Sequence, residues 1–62
     1  MDNIIYTDLS RSGDEWRVVD LMGLCYIVER NQGQHDKRFF QVGHPYRNQY
    51  EAIAKVKWFC FK

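Results

Sequence analysis

The chain has 62 residues, a formal net charge of +1, 45% hydrophobic residues and 16% aromatic residues. This aromatic content excludes a disordered tail, and no apolar stretch approaches the roughly 20 residues that a membrane-spanning helix needs. A chain of this length buries only about 60% of its unfolded surface, which leaves little room for a catalytic pocket and its supporting residues. We therefore expect residues 1–62 to form a single, non-enzymatic domain.

Four strand-like runs, rich in β-branched and aromatic residues, follow one another along the first two thirds of the chain. They cover residues 3–9, 16–21, 24–30 and 37–42. The four glycines recur every ten residues, at Gly13, Gly23, Gly33 and Gly43. This spacing is typical of turns between short strands. Neighbouring strands with such short links are antiparallel, since a parallel return needs a crossover of a dozen or more residues.

The last segment has helical periodicity and begins with a capping-box pattern, in which Asn48 can cap the first turn and Glu51 can reach back. A helix over about residues 49–60 follows. Its expected core face is the stripe Ala52, Ile53, Val56, Phe59 and Cys60. The complete prediction is an α+β fold in which a small antiparallel three- to four-stranded meander packs on one C-terminal helix (ββββα or βββα).

The predicted helix and sheet carry more apolar side chains than one helix–sheet interface can bury. On the helix, a second stripe lies away from the core face and consists of Tyr50, Ala54, Trp58 and Phe61. On the sheet, alternation places one apolar set together: Trp16, Val18, Tyr26, Val28 and Phe39. The sequence leaves open which sheet face the helix covers. The other face is either covered by the N-terminal strand or free to meet a partner.

Few residues of the chain could support catalysis or metal binding. Cys25, His35, His44 and Cys60 are separated by 10, 9 and 16 residues, whereas structural zinc sites pair their ligands at short spacing. No glycine-rich phosphate-binding loop is present. We therefore expect no catalytic residue, metal or cofactor. Because no signal peptide opens the chain, we also expect reduced cysteines and a cytoplasmic location.

Charge is distributed unevenly along the chain. Residues 1–36 carry three arginines against seven carboxylates, a net charge of −4, whereas residues 37–62 carry six cations against Glu51 alone, a net charge of +5. A basic segment interleaved with aromatic residues suits phosphate contact and base stacking. The alternative function is therefore a small nucleic-acid-binding regulator that uses this segment and the sheet face. Its contact residues would be Lys37, Arg38, Arg47, Lys55, Lys57 and Arg30.

The favoured function is a small non-enzymatic binding protein that occludes a surface of another protein. Interface cores are enriched in aromatic residues and arginine, and dedicated DNA-binding modules of this size are usually more basic. Small stand-alone proteins of this kind are often made by phages or mobile elements to inhibit a host enzyme or a defence complex. The predicted contact residues are Trp58, Tyr50, Phe61, Tyr46, Arg47 and Trp16. A homodimer whose apolar sheet faces meet is compatible with either function, and no membrane partner is expected.

Overall fold

The computed structural model describes residues 3–31 and 38–61, which form an antiparallel sheet and a C-terminal helix. The strands are β1 (Asn3–Leu9), β2 (Glu15–Asp20), β3 (Tyr26–Asn31) and β4 (Phe40–Gln41), and the helix α1 is Gln49–Phe61. The strands lie in the sheet in chain order, β1-β2-β3-β4. The predicted α+β fold is thus confirmed in its ββββα form.

The turns explain where the strands begin and end. β1 has the predicted limits, and β2 lies one residue earlier than predicted because Leu21 already belongs to the next turn. β3 begins two residues later than predicted, since the N–H of Leu24 donates to the carbonyl of Leu21. β4 departs most from its predicted range of residues 37–42: it is two residues long, followed by one more bond from the N–H of Val42 to the carbonyl of Val28.

The turn between β2 and β3 has a left-handed backbone at both central residues. Met22 has φ 56° and Gly23 has φ 79°, which is the pattern of the type I′ turns that match the twist of a sheet. The carboxylate of Asp20 accepts a 2.7 Å hydrogen bond from the N–H of Gly23. Glycines with positive φ also lie in the predicted turns at residues 13 and 43, and Gly33 lies outside the described residues.

A β-bulge in β1 directs two consecutive side chains toward the core. Ile4 pairs with Val19 and Tyr6 pairs with Val18, so that Ile5 is the extra residue between them. Both Ile5 and Tyr6 pack against the buried cluster. The bulge therefore lets one edge strand contribute to the core beyond simple alternation.

Helix α1 covers the sheet face that carries Trp16, Val18 and Val28. The helix side chains in the buried cluster are Ala52, Val56 and Cys60, and partly buried Ile53 and Phe59 pack against it. The predicted core face of the helix is therefore confirmed. The opposite sheet face is turned away from α1, and we refer to it as the open face.

The segment around β4 is the part of the sheet whose two faces differ from those predicted by alternation. Phe40 pairs with Arg30 on the helix side, and Val42 packs against the core. Phe39 lies on the open face, where the guanidinium carbon of Arg17 is 3.8 Å from its ring centroid. Grouping Phe39 with Trp16 was therefore wrong. β1 lies beside β2 within the sheet, so it does not fold over the open face.

Candidate protein interface

The outer side of α1 presents a row of aromatic side chains to solvent. We call this row the ridge and define it as Tyr50, Ala54, Lys57, Trp58 and Phe61. At about 100° per residue these positions fall within roughly 100° around the helix axis, opposite the core stripe. Tyr50 is 71% exposed, Trp58 49% and Phe61 66%. The fold thus leaves three aromatic side chains outside its own core.

The start of the helix is fixed by a side-chain cap and by a backbone connection to β3. The carboxamide oxygen of Asn48 accepts a 2.7 Å hydrogen bond from the N–H of Tyr50, as an N-cap residue does. Just before it, Tyr46 and Tyr26 exchange two backbone hydrogen bonds of 2.7 Å. The segment that leads into α1 is therefore tied to β3, and this holds the core stripe against the sheet and the ridge away from it.

Contacts within the helix surround Trp58 of the ridge. The Lys55 ammonium lies 4.5 Å from the centroid of the Trp58 ring and 5.3 Å from that of Phe59. The two rings meet edge to face, with centroids 5.1 Å apart. These contacts limit the freedom of Trp58 before any partner binds, which reduces the entropic cost of ordering it in an interface.

The structure places the other predicted interface residues near the helix start or in the core. Arg47 is exposed, one residue before the N-cap. Tyr46 is half-buried, and its ring centroid lies 4.8 Å from that of His44. Both adjoin the Tyr50 end of the ridge along the chain.

Trp16 requires a correction, since it is 4% exposed and cannot present its ring to a partner. Its ring is stacked on Phe59, with centroids 4.7 Å apart and planes inclined by 12°. Alternation along β2 directs Trp16 to the covered face together with Val18. The sequence alone did not reveal which face the helix would cover, and this choice decides whether Trp16 is core or surface.

The described residues among those proposed for nucleic-acid contact lie in different segments of the chain. Arg30 lies on the covered face and forms an ion pair with Asp14, with its Nε 3.0 Å from the carboxylate. Arg38, Arg47 and Lys57 are exposed on different parts of the molecule, before β4, before α1 and on the ridge. Lys55 is half-buried against Trp58, and Lys37 lies outside the described residues.

The open face holds a shallow furrow that the sequence analysis did not identify. Its volume is about 600 Å³, and the open-face residues that line it are Ile4, Thr7, Leu9, Glu15, Arg17 and Phe39. Asp8 and Trp16, whose side chains lie on the covered face, also border it. The Arg17 guanidinium lies between the Phe39 ring and the Glu29 carboxylate, to which its Nε donates at 2.6 Å. In the sequence, the apolar residues of β1 alternate, and two of them line the furrow. Which face of the sheet they occupy cannot be assigned until the order of the strands is known.

The cysteines are among the residues that the sequence analysis considered as nucleophiles or metal ligands. Cys25 and Cys60 are free thiols, and burial, followed by the nearby Asp8 carboxylate, raises the pKa of Cys60. A thiol with a raised pKa remains protonated and is a poor nucleophile. Within residues 3–31 and 38–61, no three His, Cys, Asp or Glu side chains are grouped so as to hold a metal ion.

Comparison with known proteins gives no relative. No protein-family model matches the chain, and neither a curated protein nor a solved structure matches it. The helix in the described part of the chain is too short and too polar to cross a membrane.

Proposed function

We propose that this protein is a non-enzymatic protein-binding module that docks the ridge of α1 onto another protein and occludes the surface it covers. The observation that carries the proposal is the exposure of Tyr50, Trp58 and Phe61 on the side of the helix opposite the core. Large aromatic side chains in one row on a rigid element are the usual anchors of protein interfaces.

The energetics of the ridge support a binding role. Full burial of a large apolar side chain contributes about 1.5–3 kcal/mol, and in Tyr50, Trp58 and Phe61 much of this gain is unused in the isolated chain. Stacked on Lys55, Trp58 is also partly ordered before binding. Most of the binding free energy of an interface comes from a few such anchors, so these three aromatic residues are enough to form an interface.

The charges beside the ridge indicate what kind of surface it fits. Lys57 lies within the ridge and Lys55 beside it, Arg47 is exposed before the helix, and Glu51 is the acidic residue of the first turn. A partner with an apolar groove bordered by carboxylates would pair with these cations and bury the three aromatic rings. Occlusion of such a groove is the form of inhibition that a rigid helix of this length can provide.

The experiment is site-specific photocrosslinking in the cells that make the protein, followed by affinity measurement. A photoreactive residue replaces Trp58 in one variant and Met22 in a matched control, since Met22 is exposed at the hairpin tip and does not belong to the ridge. We expect one saturable crosslink at position 58 and none at position 22. With the purified partner, Trp58→Ala should raise Kd at least tenfold, and Met22→Ala should leave it within twofold.

The proposal fails if position 58 yields no crosslink above the position-22 control. It also fails if the purified partner binds the Trp58→Ala and wild-type chains equally well. Either result would mean that the ridge is not the contact surface.

A nucleic-acid-binding function is a second candidate, supported by exposed Arg47 and Lys57 beside the aromatic rings of the ridge. Phosphate contacts would give a log–log salt slope of about one per contact. Fluorescence anisotropy with a labelled random duplex and a labelled single strand measures that slope directly. Tight binding at low salt that is lost steeply by physiological salt would favour this candidate, and absence of binding at low salt would reject it.

A further inference from the structure

The molecule exposes two apolar surfaces on opposite sides, and their lengths correspond. The ridge lies on the outer side of α1, and the furrow lies on the open face of the sheet. A 13-residue helix is about 20 Å long, and so is the six-residue stretch of β1 from Ile4 to Leu9 that borders the furrow. In the furrow, Ile4 is 47% exposed and Leu9 60%, and the Phe39 ring forms the opposite wall.

The two surfaces have opposite charge. In the furrow, Arg17 is paired with Glu29, so the net charge on the open face of its lining comes from the Glu15 carboxylate. The ridge carries Lys57, with Lys55 against Trp58 beside it. The furrow is formed mainly by the acidic N-terminal part of the chain, and the ridge by its basic C-terminal part.

We propose that the furrow of one molecule binds the ridge of a second copy of this chain, in a head-to-tail arrangement. This inference rests on the proposed function of the ridge and names a partner for it. Two open faces meeting each other would bring the carboxylates of both copies together, and two ridges would bring their lysines together. The head-to-tail arrangement pairs opposite charges and covers both apolar surfaces at once.

The geometry makes the interface heterologous and weak. Each molecule uses a different surface toward each neighbour, so the assembly does not stop at two chains unless it closes into a ring. One helix on one small sheet buries less than the roughly 1,200 Å² of a standard interface, which is the range of transient association. The charge pairing also makes association weaker at high salt.

The test is sedimentation velocity from about 10 μM to 1 mM, the concentration range in which weak complexes form. A ridge variant carries Trp58→Gln and Phe61→Gln, and a furrow variant carries Ile4→Gln and Leu9→Gln. A control carries Met22→Gln at the exposed hairpin tip. All substituted side chains are exposed, and circular dichroism verifies that each variant is folded. Glu15→Gln, which keeps the shape of the side chain, is a milder second furrow variant.

We expect the average mass of the wild type and the Met22→Gln control to rise past two chains with concentration. Each double variant alone should remain monomeric, because its second surface finds no counterpart. A mixture of the two should form complexes of two chains and no more, since one intact ridge then meets one intact furrow. Glu15→Gln should weaken wild-type association at least threefold at low salt and less at high salt.

Three results would overturn the inference. A monomeric wild type at 1 mM would do so while leaving the proposed function intact, because position 58 could still crosslink to a different protein. A ridge variant that associates as strongly as the wild type does would indicate that sheet faces meet instead. A mixture of the two double variants that stays monomeric would exclude the head-to-tail contact.

Discussion

The two tryptophans of this chain have opposite roles, although both lie in regular elements that contribute to the core. Trp16 is stacked on Phe59 in the core, whereas Trp58 is half exposed on the ridge and is contacted by Lys55. The difference arises from position alone: Trp16 points to the covered face of β2, and Trp58 lies opposite the core stripe of α1.

We predict that Trp16→Ala unfolds the protein. Removal of a large buried aromatic side chain costs about 3–5 kcal/mol, which is a large part of the stability of a small domain. Trp16→Phe should preserve the fold, because it keeps a ring against Phe59 and removes an indole N–H that has no hydrogen-bond partner among the described residues. Urea unfolding followed by Trp58 fluorescence distinguishes the two variants. A folded Trp16→Ala chain of near wild-type stability would contradict the assignment of Trp16 to the core.

The ion pair between Asp14 and Arg30 gives a second prediction for single residues. Asp14 is buried, and its carboxylate accepts bonds from Arg30 and from the hydroxyl of Ser12, which is 3.3 Å away. We expect Asp14→Asn to lower the free energy of unfolding by about 1–2 kcal/mol, because Arg30 is left without its counter-ion on the covered face. The exposed Arg11→Gln change in the same hairpin is the control and should change stability by less than about 0.5 kcal/mol. Equal urea midpoints for the two variants would contradict the prediction.

Among the elements, the hairpin between β2 and β3 stores a small amount of strain. Met22 has φ 56°, and a left-handed backbone costs most residues about 1–2 kcal/mol. Asparagine tolerates this conformation and is favoured before glycine in type I′ turns. Met22→Asn should therefore raise the free energy of unfolding by about 0.5–1 kcal/mol.

The melting temperature of Met22→Asn compared with Met22→Ala measures this effect, since both changes remove the exposed thioether. A melting temperature for Met22→Asn that is no higher than that of Met22→Ala would show that the turn is unstrained.

At the level of elements, the sequence predicts most of the fold but not how its faces are arranged. The bounds of β1 and the helical stripe of Ala52, Val56 and Cys60 follow from local pattern. The face of β4 does not, because apolar residues occupy three of the four positions from Phe39 to Val42, so alternation gives no parity. The covered face of the sheet could not be predicted either, since both faces carry apolar residues. The ridge was predicted from the helix alone, whereas the furrow depends on the order of three strands.

For the whole molecule, we predict a loss of stability at alkaline pH. Burial, then the nearby Asp8 carboxylate, raises the pKa of Cys60 above 9.0, and burial, then the hydrogen bond to Asp8, raises the pKa of Tyr6 above 10.0. The folded chain holds both protons more tightly than the unfolded chain does. The stability that these groups contribute is therefore complete below pH 9.0 and is lost as pH rises through the folded pKa values.

Urea midpoints measured at intervals from about pH 8 to pH 11 give the slope of this loss. In the double variant Cys60→Ala and Tyr6→Phe, the two groups are absent and the fall in midpoint with pH should be shallower than in the wild type. An identical slope in both proteins would mean that these groups do not titrate differently on folding.

The central claim about the whole molecule is that the ridge is dispensable for folding and available for binding. The most direct test is the free energy of unfolding of the triple variant Tyr50→Gln, Trp58→Gln and Phe61→Gln, measured at a concentration at which the wild type is monomeric. Glutamine is a better helix former than any of the three residues it replaces, so we predict a stability equal to or slightly above that of the wild type. A loss of more than about 2 kcal/mol would contradict the claim, because a change of that size marks side chains that the fold itself requires.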